Sequence, residues 1–101
     1  MIVEYIRYTI DEARRTSFTE AYKVAALQLD KSVYCKGYEL TECEEEAGQF
    51  ILRILWTSTE DHLNGFRRSP EFRDFFVAIK PYVNDIKEMR HYRLTEVVKT
   101  K

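Results

Sequence analysis

Aromatic side chains dominate the middle of this chain, and a few polar groups lie among them. The stretch 49–76 contains one tryptophan, Trp56, and five phenylalanines, together with His62, Arg67 and Arg73. Such a set can form a flat apolar pocket in which one or two polar groups fix the orientation of a ligand. The same aromatic residues can equally be ordinary core residues. Both interpretations stay open at this point.

Other kinds of chemistry find little support. His62 and His91 are far apart in sequence, and neither belongs to an HxxxH, HExxH or CxxC pattern. No glycine-rich phosphate loop is present, and no serine or cysteine lies in a nucleophile motif. Cys35 and Cys43 would lie about 26 Å apart on one extended segment, beyond disulfide reach. We therefore predict no metal, no cofactor and two free thiols.

Size and charge narrow the class of protein. A chain of 101 residues predicts a single domain spanning 1–101. Its net charge of −1, with acidic and basic residues interspersed, argues against a nucleic-acid partner. No apolar run approaches the roughly 18 residues of a membrane span, and the N-terminus lacks the layout of a signal peptide. We expect a cytoplasmic protein that has no membrane partner.

The first half of the chain alternates strand and helix patterns. Residues 2–9 alternate as a strand, and a helix follows to about Lys31. Ser17 and Glu20 form a capping box for this helix, and an earlier start near Glu12 is the alternative. A second strand is predicted over 33–44, with a bulge at Gly37. Gly48 is expected to take a positive φ and to close the hairpin into the next strand.

The second half repeats this order. Residues 49–57 predict a strand that is apolar on both faces and therefore covered on both sides. A helical region follows, broken near Gly65 and restarting at Ser69, where Pro70 suits the first helical position. The last strand is predicted over 89–98.

The element order β-α-β-β-α-β predicts an α+β fold, a ferredoxin-like sandwich whose four antiparallel strands carry helices on one face. The other face of the sheet would then be bare, although Ile51 and Leu55 point to it. A large apolar sheet face usually meets a partner. We therefore predict a homodimer formed through the sheet face.

A resemblance to a known family follows from these residues. Three stretches of the chain resemble the antibiotic biosynthesis monooxygenase family. They are Trp56-x-Ser58 with Leu63, then Ser69-Pro70-x-Phe72-x-x-Phe75, and the last-strand run Arg90-His91-Tyr92. The resemblance extends over nearly the whole chain. It implies the ferredoxin-like fold and a dimeric α+β barrel.

The resemblance also implies an activity. Well-understood members are oxidoreductases without metal or flavin that oxidise hydroxylated polyketides or quinols with O2. A deprotonated electron-rich phenol can pass an electron to O2 itself, while the protein supplies a dry cavity and a proton route. By resemblance the catalytic residues are Trp56, which packs the ring, Arg73, which stabilises the phenolate, and His62, which relays a proton. The substrate-binding residues are Tyr22, Leu52, Phe66, Phe72 and Phe76.

Departures from the family pattern define the alternative. His62 stands where polyketide-oxidising members carry a tyrosine, Leu52 where they carry an asparagine, and Phe66 where quinol monooxygenases often carry a histidine. The first hypothesis is a monooxygenase that acts on a hydroquinone or a polyketide-like phenol and needs no cofactor. The second is a dimeric ligand-binding or interaction module without chemistry. The sequence leaves open whether His91 and Tyr92 serve a site or only the sheet.

Overall fold

Four strands form one antiparallel sheet in the computed structural model, which describes residues 1–101. They are β1 (Ile2–Thr9), β2 (Cys35–Glu42), β3 (Gln49–Trp56) and β4 (Ile86–Arg93). The strand order is β2-β3-β1-β4, and all three pairs are antiparallel. This is the predicted ferredoxin-like α+β topology, in which β1 and β3 lie at the centre.

Two α-helices cover one face of this sheet, α1 (Arg15–Lys31) and α2 (Pro70–Ile79). Short 3-10 turns precede α1 at Glu12–Arg14 and follow α2 at Lys80–Asp85. The buried core lies between the helices and the sheet, where an apolar row of each central strand meets the apolar stripe of α1. Neither helix combines the length and the apolar character that crossing a bilayer requires.

The start of α1 differs from the sequence prediction. Helical geometry begins at Arg15, so Ser17 lies inside the first turn and is not the N-cap. The Ser17 hydroxyl donates a hydrogen bond back to the Arg14 carbonyl at 2.9 Å and accepts one from the Tyr82 hydroxyl. The predicted capping box is therefore wrong, because the preceding 3-10 turn already satisfies the backbone there. The predicted apolar stripe is confirmed, since Phe18, Tyr22, Ala25 and Leu29 are buried.

The predicted helix break and restart are both confirmed. A π-helical turn covers Asp61–Gly65, a 3-10 turn covers Phe66–Arg68, and α2 begins directly after Ser69. The Ser69 hydroxyl accepts a hydrogen bond from the Phe72 backbone N–H at 3.3 Å, as an N-cap does. π-helical turns are rare and occur often at functional sites.

The burial of β3 and the bounds of β4 also differ from the sequence prediction. Only the row of β3 that faces the helices is fully buried, and Ile51 on the other row is 39% exposed within this chain. Strand β4 covers Ile86–Arg93 instead of 89–98. Its partner β1 begins at Ile2, which pairs with Arg93, so residues beyond Arg93 have no strand to pair with.

Gly48 has the predicted positive φ, +88°, and a side chain at this position would collide with the backbone. A Cβ atom there would lie 2.6 Å from the Ile10 carbonyl oxygen. We expect Gly48→Ala to lower the free energy of unfolding by about 1–3 kcal/mol, measured by urea denaturation. Gly37→Ala is the matched control, because nothing lies within 4 Å of its added methyl group. Equal effects of the two substitutions would contradict the strain at Gly48.

Two buried tyrosines share a hydrogen bond inside the core. The hydroxyls of Tyr8 and Tyr22 are in contact between β1 and α1, and both residues are almost fully buried. Burial raises the pKa of Tyr8 to about 12 and also raises the pKa of Tyr22 well above its ordinary value. The folded state therefore holds both phenols neutral at a pH where the unfolded chain would ionise them.

This pair predicts a loss of stability in alkali. A raised folded-state pKa gives stability that is complete below the unfolded value near 10 and is lost as pH rises through about 12. We expect the free energy of unfolding to fall by about 1.4 kcal/mol per pH unit for each tyrosine in this window. Tyr38 titrates in the same window, because its hydrogen bond to Asp30 raises its pKa to about 12. Urea denaturation in a Tyr38→Phe background therefore isolates the core pair, and a flat profile there would contradict the prediction.

Candidate active site

A small cavity lies between the core face of the sheet, α2 and the helical turns that precede it. Its volume is about 160 Å³, and twelve of its fifteen lining residues are hydrophobic. The three polar residues of the wall are Glu4, His62 and Arg67. The wall is therefore an aromatic and aliphatic surface whose few polar groups are contributed by β1 and by the turns before α2.

Trp56 and His62 form one wall of this cavity. Trp56 is the last residue of β3, and the chain then turns through Ser58, whose hydroxyl accepts from the Asp61 backbone N–H at 3.0 Å. This turn returns His62 over the indole, so that the two rings stack with centroids 4.5 Å apart and an interplanar angle of 9°. Phe66 packs on the same indole at 4.9 Å. All three rings are buried.

A carboxylate is buried beneath these rings. Glu4 lies in the core-facing row of β1 between Ile2 and Ile6, and it is 1% exposed. The Trp56 indole N–H donates a hydrogen bond to Glu4 Oε1 at 3.0 Å, whereas Glu4 Oε2 has no hydrogen-bond partner. A buried acceptor without a partner costs free energy, so this oxygen marks a position where a ligand could donate.

His91 completes the polar cluster. The register of β1 and β4 places His91 directly opposite Glu4 on the core side of the sheet. His62 Nδ1 and His91 Nε2 are 2.7 Å apart and share a hydrogen bond. His62 Nε2 lies 3.5 Å from Glu4 Oε1, and His91 Nε2 lies 3.9 Å from Glu4 Oε2. Two imidazoles and one carboxylate thus form one cluster, in which Glu4 and His62 line the cavity and His91 lies behind them.

Burial controls the charges of this cluster. It lowers the pKa of His62 to about 3 and also lowers the pKa of His91, and the Arg67 charge adds to both effects. Burial raises the pKa of Glu4, although the indole hydrogen bond and the Arg67 charge oppose this shift. Both imidazoles are therefore neutral at pH 7 and form no ion pair with Glu4. In one tautomer of His62, the Nε2–H faces the Glu4 carboxylate, and Nδ1 accepts a hydrogen bond from the Nε2–H of His91.

Arg67 lies at the rim of the cavity. Its guanidinium carbon is 5.9 Å from the centre of the Phe72 ring, and its Nη2 is 3.9 Å from the Met89 sulfur. Met89 and Phe76 are partly exposed, so the cavity opens to solvent past these side chains. Arg67 thus brings a positive charge to the entrance of an otherwise apolar space.

The structure brings most of the predicted site residues together, but not all of them. Trp56, His62, Phe66, Phe72 and Phe76 line the cavity. Tyr22 and Leu52 do not; both line a second, larger and more open pocket of about 370 Å³ between α1, β2 and β3. Arg73 is exposed on α2 and is not part of the cavity wall.

Three polar residues of this site had no predicted role. Arg67 was named among the polar residues of the aromatic stretch without a function, the role of His91 was left open, and Glu4 was not singled out. A signal for Glu4 does exist, since it is the one charged residue in the row Ile2, Glu4, Ile6, Tyr8. A carboxylate at a core-facing strand position is uncommon unless it is paired or functional.

Comparison with known proteins identifies the family. A family model described as antibiotic biosynthesis monooxygenase matches residues 1–78. The chain belongs to this family, which confirms the resemblance found in the sequence. The matched segment ends within α2, so β4 and its His91 lie beyond it. The uncharacterized protein YczJ of Bacillus subtilis (strain 168) is 27% identical over 96 residues, covering 92% of this chain and 98% of that protein.

Solved structures support the same fold. A conserved protein from Methanosarcina mazei Go1 superposes with a TM-score of 0.78 at 17% identity, covering 93% of this chain and 92% of that one. A Bordetella bronchiseptica protein that carries the family's name superposes with a TM-score of 0.75 at 20% identity, covering 93% and 96%. At these identities the similarity establishes the fold alone.

Proposed function

We propose that this protein is a monooxygenase that oxidises a small electron-rich aromatic compound, a phenol or hydroquinone, with O2 in the cavity beside Trp56. The observation that carries the proposal is the unpartnered Glu4 Oε2 at the inner end of an aromatic cavity. A phenol hydroxyl that donates to this oxygen would satisfy it, while the ring of the phenol lies among aromatic side chains.

The size of the cavity selects among the candidate substrates. A dry cavity of about 150 Å³ in another protein holds one benzene molecule. The cavity of this protein, about 160 Å³, is therefore matched to one substituted ring. A single-ring hydroquinone fits this volume better than the fused rings of a polyketide, which would require Phe76 and Met89 to move at the rim.

The reaction needs no external reductant. A hydroquinone with a ring C–H beside a hydroxyl, or a phenol with a free para position, reacts with one O2 to give a quinone that carries the new oxygen atom and one water molecule. One oxygen atom is inserted at that C–H position, and the other leaves as water with two hydrogens of the substrate. All four electrons come from the substrate. The protein therefore has to accept a proton, stabilise the phenolate and keep water away from the reactive ring.

The residues of the cavity suit these three tasks. Glu4 accepts the phenol proton, and His62 with His91 relays it toward the partly exposed edge of β4. The relay requires both imidazoles to change tautomer, so that His62 Nε2 accepts from Glu4 and His62 Nδ1 donates to His91 Nε2. Arg67 stabilises the phenolate electrostatically from the rim. Trp56 packs against the substrate ring. Arg67 thus takes the role that the resemblance gave to Arg73, because only Arg67 lines the cavity.

Oxygen uptake by chelator-treated protein tests this proposal. The panel contains single-ring hydroquinones and catechols together with fused-ring phenols, and product is identified by mass spectrometry with 18O2. We expect uptake with single-ring substrates, with one labelled oxygen atom in each product molecule. Arg67→Ala is expected to lower kcat/KM more than Arg73→Ala does. The opposite order would return the phenolate role to Arg73.

A different outcome would favour the second function. Aromatic compounds that bind at the cavity and return unchanged, with no uptake above the uncatalysed rate, would indicate a ligand-binding module. Isothermal titration calorimetry with the same panel separates this result from a failure to bind. No specific feature of the cavity favours such a module over the enzyme.

We infer further that two copies pair through the uncovered face of the sheet. Tyr5 and Tyr92 lie edge to face on it with centroids 5.4 Å apart, and both are partly exposed, as is Ile51. Sedimentation equilibrium is expected to give a dimer that Ile51→Lys dissociates. The matched control is Val77→Lys on the exposed side of α2. A monomeric wild-type protein at tens of micromolar would contradict this inference.

A further inference from the structure

We propose that Glu4, His62 and His91 form a binding site for a divalent first-row transition metal ion at the inner end of the cavity. The ligand atoms of these three residues lie within 4.8 Å of one another. Glu4 and His62 are buried, and His91 is half-buried. Glu4 Oε2 has no hydrogen-bond partner, so the cluster has a buried acceptor that a cation would satisfy.

The donor set defines the class of ion. Two imidazole nitrogens and one carboxylate oxygen suit zinc and its neighbours in the first transition row, whereas magnesium and calcium prefer oxygen ligands alone. The chain contains two histidines in total, and both are in this cluster. Any histidine-dependent metal binding by this protein must therefore occur here.

The observed distances allow a shared ion after small side-chain movements. Two ligands of one tetrahedral metal ion, each at about 2.1 Å, are separated by about 3.4 Å. His62 Nδ1 and His91 Nε2, at 2.7 Å, would move apart by about 0.7 Å. Glu4 Oε2 and His91 Nε2, at 3.9 Å, would move together by about 0.5 Å, and every ligand pair already lies within 4.8 Å.

The surroundings of the cluster both support and oppose an ion. The Trp56 N–H holds Glu4 Oε1 and leaves Oε2 free to bind, as outer-shell donors do in metal sites. The positive charge of Arg67 at the rim of the same cavity opposes a cation. A hydroxide or another anionic oxygen in the fourth coordination position, which would face the cavity, would offset that charge.

Metal binding does not depend on the proposed oxygenase activity, but the two compete. A metal on Glu4 Oε2 would occupy the oxygen that is proposed to accept the phenol proton. Metal-loaded protein is therefore expected to lose the oxygen uptake of the chelator-treated protein. Failure of either proposal leaves the other unaffected, because metal binding is measured without substrate.

A Co2+ titration followed by visible absorption tests the site directly. Chelator-treated protein in which Cys35 and Cys43 are replaced by serine is the reference protein, and it is expected to bind one Co2+ per chain. The spectrum should show the intense d–d bands of four- or five-coordinate cobalt, and Zn2+ should displace the ion. Glu4→Gln and His91→Gln are each expected to weaken binding at least tenfold.

A matched control variant and a second measurement accompany the Co2+ titration. Glu88→Gln makes the same change to an exposed carboxylate on β4 and should leave Co2+ affinity within twofold of the reference protein. Should Glu4→Gln fail to fold, His91→Gln at a half-buried position serves in its place. A rise in melting temperature with Zn2+ that is absent from His91→Gln provides a second measurement. An absence of saturable Co2+ binding, or equal weakening by Glu88→Gln, would overturn the proposal.

Discussion

Replacement of Trp56 by alanine is expected to lower the free energy of unfolding by about 4 kcal/mol or more. Removal of a buried tryptophan commonly costs about 3–5 kcal/mol, and its ring packs here against both His62 and Phe66. The substitution also takes the one hydrogen bond from Glu4 Oε1, leaving both oxygens of a buried carboxylate unpaired. This loss approaches the whole stability of an ordinary domain of this size.

Urea denaturation followed by far-ultraviolet circular dichroism measures this effect, since the variant has no tryptophan fluorescence. Trp56→Phe keeps one aromatic ring but removes the N–H together with part of the buried indole, and it is expected to cost less than Trp56→Ala, about 1–3 kcal/mol. Val77→Ala on the exposed side of α2 should change stability by less than about 0.5 kcal/mol. A Trp56→Ala loss below about 2 kcal/mol would contradict the role of this ring in the core.

The second large effect concerns activity. Glu4→Gln is expected to lower kcat for the proposed oxidation by about 10²- to 10⁴-fold, the usual contribution of a positioned proton acceptor. The amide keeps the shape of the side chain and can still accept from Trp56, but it cannot take a proton from a phenol. Stability should stay equal or rise, because the folded state no longer buries a group whose pKa is raised by desolvation.

Oxygen uptake and the melting temperature, measured on the same preparations, separate lost chemistry from lost folding. Glu88→Gln on the exposed side of β4 is the matched control and should retain wild-type uptake. A Glu4→Gln protein that folds and turns over within threefold of wild type would remove Glu4 from the proposed mechanism. The proton would then have to leave by another route.

Elements whose signals are local could be predicted from sequence. The alternation of apolar and polar residues predicts both ends of β1 correctly, because the apolar side chains of its core-facing row all lie on the same face of the strand. Ser69 and Pro70 fix the start of α2, since an N-cap hydroxyl and a first-turn proline act within four residues. The end of β4 could not be predicted in this way, because it depends on where its partner strand begins.

The candidate site shows the same division. The closeness of Trp56 and His62 in space could be predicted, because the two residues are close in sequence and joined by a turn with a clear hydroxyl cap. The pairing of Glu4 with His91 joins residues 87 positions apart and depends on strand register, which composition and spacing do not reveal. Arg67 and Arg73 both lie within the aromatic stretch 49–76, and only the π-helical and 3-10 turns decide which one faces the cavity.

The stacked tryptophan has a consequence for how the protein can be observed. Trp56 is the only tryptophan of the chain, and its indole touches the histidine and the carboxylate of the cluster. Intrinsic fluorescence excited at the red edge of the protein absorption band therefore originates from a single wall of the cavity. A phenol that enters, or a Co2+ ion that binds, should quench or shift this emission. The unlabelled protein thus carries its own optical reporter of occupancy, which can be read in a stopped-flow instrument.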